Sequence, residues 1–98
     1  MPIRDTPYAT ELARATFSFT GTDEEARLER LYVKDQGQEE IRFSWWKGGQ
    51  MARRPLDLPE ADLLVLLRDA AARGVLSREF VAALRRLPDP PALSGTAA

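Results

Sequence analysis

The stretch Leu31-Tyr32-Val33-Lys34-Asp35-Gln36-Gly37-Gln38-Glu39-Glu40-Ile41-Arg42-Phe43-Ser44-Trp45-Trp46-Lys47-Gly48-Gly49 decides how this chain folds. Apolar and polar residues alternate over 31–34 and again over 40–47, the period of a strand with one buried face. Between them, Asp35-Gln36-Gly37-Gln38 is turn chemistry with a glycine free to take positive φ. Gly48-Gly49 turns the chain again, into a third strand over 50–56. Strands joined by short glycine-bearing loops predict an antiparallel meander. Ala15-Thr16-Phe17-Ser18-Phe19-Thr20 alternates in the same way and makes the sheet four-stranded.

Outward from that core the pattern changes. Residues 1–13 contain Pro2 and Pro7 and keep no period, which predicts a flexible arm with a helical turn over 10–14. Thr22-Asp23-Glu24-Glu25 has capping-box spacing and predicts a second short helical turn. Asp57 and Glu60 read as a capping pair for a helix over 58–73, with Pro59 in its first turn. Leu63, Leu64, Leu67, Ala70 and Ala71 give that helix an apolar stripe, and Gly74 ends it. Ser77 opens another helix over 77–87, with Leu76 and Val81 as a staple and Phe80, Leu84 and Leu87 as its buried side. Pro88, Pro90 and Pro91 stop it, so residues 88–98 read as a disordered tail and residues 14–87 as one domain. Strands first and helices last is an α+β arrangement.

Composition narrows the function. A chain of 98 residues holds one core without staples. It has no cysteine and no histidine, which removes thiolate chemistry, the commonest general base and the commonest metal ligand. An enzyme, a metal site and a cofactor are therefore not expected. Glu39 and Glu40 sit by a turn and read as solubilising, and Gly48-Gly49 lacks the spacing of a phosphate loop. Residues 1–5 carry no apolar leader and the longest apolar run is 63–67, so no membrane span and a cytoplasmic location are expected.

The charge is uneven. Residues 1–40 hold five Lys/Arg and nine Asp/Glu, whereas residues 41–98 hold nine and six. If Leu31 and Val33 face the helix, Tyr32 and Lys34 face away. On the next strand Ile41, Phe43 and Trp45 then point inward and Arg42, Ser44 and Trp46 outward. The outer face would gather Tyr32, Lys34, Arg42 and Trp46, with Lys47 at its edge. Rings interleaved with cations suit unpaired nucleic acid, whose bases stack and whose phosphates need positive charge.

The same stretch resembles the positive-cofactor-four type of transcriptional coactivator. Val33-Lys34-Asp35, Gly37, Ile41-Arg42, Trp45, Gly49-Gln50-Met51, Arg53-Arg54 and Leu56-Asp57-Leu58-Pro59-Glu60 follow that family's order over residues 27–73. The resemblance implies a curved sheet backed by a helix, a homodimer, and single-stranded DNA contacts at Lys34, Arg42, Trp45, Arg53 and Arg54. Parity exposes Trp46 and the resemblance exposes Trp45; a β-bulge would reconcile them. The expected function is a small dimeric single-strand-binding factor for DNA or RNA in transcription or replication. The alternative is a protein-interaction module that uses the same Trp/Arg face. Ala61, Val65 and Ala72 form a second apolar arc on the helix, and the expected homodimer buries it.

Overall fold

The computed structural model describes residues 2–91. It is α+β: strands β1 (Arg4–Asp5), β2 (Ala9–Ser18), β3 (Glu24–Val33), β4 (Gln38–Lys47) and β5 (Gln50–Met51) precede helices α1 (Glu60–Ala72) and α2 (Arg78–Leu84). The five strands form one antiparallel meander in sequence order. The expected four-stranded sheet thus gains a short first strand, and its last strand shrinks from residues 50–56 to two residues. The sheet curls so far that Arg4 of β1 lies 5.4 Å from the Trp46 ring of β4. Among the described residues no helix is long and apolar enough to cross a membrane.

The long strand β2 occupies much of the stretch expected to be an arm with a helical turn at residues 10–14. The register explains the misreading. Pairing with β3 shifts between Glu11 and Ala13, a bulge that leaves Leu12 without a partner. A bulge inverts side-chain parity from that point on, so no single period runs through residues 9–17. The Thr22–Glu25 turn also differs from expectation. The Thr22 hydroxyl accepts from the Glu24 amide and donates to the Phe19 carbonyl, capping a hairpin loop rather than a helix. Gly48 and Gly49 form the tightest turn, between paired Lys47 and Gln50; both have positive φ, 57° and 78°, as a two-residue hairpin loop of this hand requires.

Helix α1 crosses the outer, convex side of the sheet over β2 and β3. Ala15, Ala26 and Leu28 of the strands meet Leu66 and Ala70 of the helix, with Val75 and Leu76 closing the cluster. Burying one leucine of this kind contributes about 1.5–3 kcal/mol. The helix sits in a different phase from the expected stripe: Leu66 is fully buried while Leu64 and Ala71 face solvent. Residues 63–67 are all apolar, so period alone could not choose the face. Asp69 helps to choose it, accepting from the Thr16 amide at 3.1 Å on the part of β2 beyond β1.

The expected Asp57–Glu60 cap is not made; Pro59 holds the N-cap position without a side-chain hydrogen bond. At the other end Gly74, at φ 73°, lets the Val75 and Gly74 amides reach back to the Ala70 and Ala71 carbonyls. That paired closure is a Schellman motif. Ser77 caps α2 through the Phe80 amide as expected, and the Leu76–Val81 staple packs into the core. Phe80, Leu84 and Leu87, expected to be buried, are exposed, because among the described residues no element packs over that side of α2. Residues 88–91 have no regular secondary structure, and the rest of the expected tail, 92–98, lies outside the described residues.

Candidate functional site

The concave side of the sheet is held by charge rather than by oil. Glu11, Arg14 and Thr16 of β2 align with Leu31, Glu29 and Arg27 of β3, and these with Glu40, Arg42 and Ser44 of β4. Glu11 and Glu29 are buried at 2% and 0% exposure. Arg14 donates to both Glu11 oxygens, at 2.8 and 2.7 Å. Arg42 donates through Nε and Nη2 to Glu29 Oε1, at 3.0 and 2.9 Å. The Ser44 hydroxyl donates to the same oxygen at 3.3 Å and accepts from Trp46 Nε1 at 2.8 Å. Glu29 Oε2 is buried and has no hydrogen-bond partner among the described residues.

The two carboxyls are driven apart in acidity. Burial alone would raise Glu11, but Arg14 overrides it and brings the group down to about 2. Burial and then the neighbouring Glu11 raise Glu29 above the usual carboxylate range, against Arg42. Of the two carboxyls, Glu29 is the one whose neutral form the site favours and Glu11 the one it keeps charged.

The structure divides the residues expected to share one nucleic-acid face. Arg42 and Trp46 belong to the concave side, where Trp46 is 5% exposed beneath the Arg27 guanidinium, 3.8 Å from its ring centre. Tyr32, Trp45 and Lys47 belong to the convex side with Ile41 and Phe43. Leu31 and Val33 are concave, not helix-facing, and with Ala9 make a small cluster of their own. The reason is the hairpin register: Val33 pairs with Gln38, so odd positions of β3 share a face with even positions of β4. Lys34 lies beyond β3, bound to the Asp5 carboxylate at 3.0 Å and the Thr6 carbonyl at 2.7 Å. Arg53 and Arg54 are exposed on the connection after β5, and Arg54 stacks 4.3 Å over the half-buried Trp45 ring. No bulge is present in β4, so Trp45 and Trp46 stay on opposite faces.

The searches of family models, curated proteins and solved structures return no match for this chain.

The convex side holds what residue spacing missed. Helix α1 stops short of β4, leaving Phe43 and Phe80 at 54% and 49% exposure on either side of a groove. Arg30, Ile41, Leu67, Leu76, Ser77 and Leu84 complete its walls, and its volume is about 380 Å³. Among the described residues the outer edge of β4 over residues 38–44 is paired with no strand, because β5 reaches only Trp46 and Lys47 and the Ala52 amide beyond it takes the Trp45 carbonyl. Ala61, Val65 and Ala72 on the outer side of α1 are exposed, and α2 does not cover them. Among the described residues there is no cluster of three or more metal-binding side chains. The signal for the groove was present in the sequence: Phe80 and Leu84 have the spacing of a buried stripe, yet among the described residues no element buries them.

Proposed function

We propose that the chain is a non-enzymatic docking module that adds an extended segment of a partner protein along β4. One observation carries this: the open edge of β4 runs beside Ile41, Phe43, Phe80 and Leu84, all large, apolar and exposed. A strand added to an open edge gains main-chain hydrogen bonds, and alternate side chains of that strand fall over the sheet face. Here those side chains would fall into the groove. Apolar area of this kind, grouped beside an unpaired edge, marks an interaction surface.

A display library of extended peptides tests the proposal, with the Trp45 fluorescence as readout. Selected peptides should alternate apolar and polar residues and lose at least about tenfold in affinity against Phe43→Asp and Phe80→Asp, the cost of one well-buried anchor. Selection of nothing, or of peptides indifferent to both substitutions, defeats it. A second copy of the chain is one partner that can be measured directly. Two β4 edges can pair antiparallel about a twofold, whereas the expected dimer buries Ala61, Val65 and Ala72. Sedimentation equilibrium separates these: Phe43→Asp breaks the first dimer and Val65→Glu the second.

Single-stranded nucleic acid remains the second reading, on a smaller surface than expected. It is favoured by the Arg54 guanidinium over Trp45, a cation–ring stack that an unpaired base could replace, with exposed Lys47 and Arg53 as phosphate contacts. Oligonucleotide titration across a salt series decides it. Binding that weakens steeply with salt and is lost in Trp45→Ala supports this reading. Binding indifferent to Trp45, or absent at low salt, removes it.

A further inference from the structure

The seam of the curled sheet, where β1 approaches β5, encloses a cavity of about 250 Å³ on the concave side. Its walls bring Arg4 and Arg42 together with Ala9, Leu31 and Met51. We propose that this cavity binds a small organic carboxylate, its anionic head between Arg4 and Arg42 and its short apolar tail against Leu31 and Met51.

Three observations point to an anion rather than a cation. Glu11 is the one carboxylate among the lining residues, and both its oxygens are already held by Arg14. Arg42 spends Nε and Nη2 on Glu29, while its Nη1 has no hydrogen-bond partner among the described residues. Arg4 makes no ion pair among the described residues and rests over Trp46. Guanidinium donors left over at a cavity mouth are matched by a carboxylate, whose planar oxygens take two N–H groups at once.

The charge count of the concave side agrees. Arg4, Arg14, Arg27 and Arg42 share it with Glu11, Glu25, Glu29 and Glu40, four against four by register. Burial and the neighbouring Glu11 favour the neutral form of Glu29, which tips this balance toward positive. The excess lies beside the cavity through Arg42, which touches both Glu29 and the lining. Ala9, Leu31 and Met51 give the cavity an aliphatic side that suits a short hydrocarbon tail, and Thr6 and Tyr8 complete the lining.

The test uses the full chain carrying Trp45→Phe, so that Trp46, lying under Arg4, is the reporter. Hexanoate, hexanol and inorganic phosphate are titrated in parallel. A saturable change with hexanoate, at least about tenfold weaker with hexanol, is expected, because only the acid engages the guanidinium donors. Arg4→Gln should weaken hexanoate by a similar factor. Met51→Glu, which sets a carboxylate in the wall, should abolish binding, and unchanged circular dichroism of both variants shows that the fold persists. Hexanoate affinity should also fall as pH rises through the Glu29 ionisation and become flat in Glu29→Gln. Equal response to hexanol means an apolar cleft only. Equal response to phosphate means unspecific anion attraction, and no saturable response to any probe means no site; each of these overturns the proposal. The groove beside β4 lies on the other side of the sheet, so the outcome here is independent of the docking reading.

Discussion

The two sides of one sheet are built on opposite principles. On the convex side, Ala15, Ala26 and Leu28 meet Leu66 and Ala70 in a dry, fully buried cluster. On the concave side, the same three strands turn Glu11, Arg14, Glu29, Arg42 and Ser44 toward one another. A helix covers the first side, and only curvature covers the second. The contrast shows that side-chain burial here has two origins, contact with another element and enclosure by the sheet's own bend. A carboxylate can be buried by the second route because neighbouring strands present its arginine partners at fixed spacing.

The contrast can be broken most sharply at the dry side. Leu66→Ala should cost about 2–5 kcal/mol, read as a fall in the urea midpoint with unchanged slope, because its cavity would be walled by β2, β3 and Val75. A loss below 1 kcal/mol would mean that the helix is not what holds the sheet.

On the charged side, Arg14→Gln leaves Glu11 buried without its clamp. About 2–3 kcal/mol is expected, below the range for breaking a fully buried pair because Arg14 is partly exposed. An unchanged midpoint would show that the pair contributes nothing.

The pH dependence sharpens the comparison further, since the cluster of Ala15, Ala26, Leu28, Leu66 and Ala70 carries no titrating group. Glu29 is raised in the fold, so its contribution is complete below its ordinary value of 4.5 and is lost as pH rises through the raised value. Glu11 is lowered to about 2, so its contribution is complete above 4.5 and is lost as pH falls toward 2. Stability should therefore peak near pH 4.5, where Glu11 is charged and Glu29 is neutral. Glu29→Gln should abolish the decline toward neutral pH while leaving the acid limb. A variant less stable than the parent at neutral pH would show instead that ionised Glu29 is the stabilising form. The smallest effect belongs to Phe43→Ser, exposed beside the groove: a change within about 0.5 kcal/mol, although the proposed partner is lost.

How much of this was legible in the sequence depends on where alternation survives. The β3–β4 hairpin, from residue 31 to residue 47, was readable because its period is unbroken and glycines mark the turns at either end of β4. The first half of β2 was not, because the bulge at Leu12 hides its period. Ile41, Phe43 and Trp45 were correctly grouped on one face, but Leu31 and Val33 were joined to them, because register is fixed by which turn residues pair and not by composition. The aromatic–cation surface is divided for the same reason: alternation within each strand puts Tyr32, Arg42 and Trp46 together, and the register between the strands separates them. The Glu11–Glu29 pair gave no sequence signal, since 17 residues and a bulge separate two glutamates that read as solvated charges.

The sheet ends on both sides in strands of two residues, β1 and β5. Pro7 follows the first and Pro55 lies shortly after the second, and neither can donate a main-chain hydrogen bond. Short edges interrupted by proline are poor templates for uncontrolled stacking of one chain on the next. The stretches that β5 leaves bare on β4 and that β1 leaves bare on β2 are the exceptions, and on β2 the Asp69 carboxylate already takes the Thr16 amide. Fibre growth, if the protein is concentrated or warmed, should therefore start from the β4 edge first, and a proline placed at Ile41, whose amide points to the open side, should delay its onset without removing a hydrogen bond to β3.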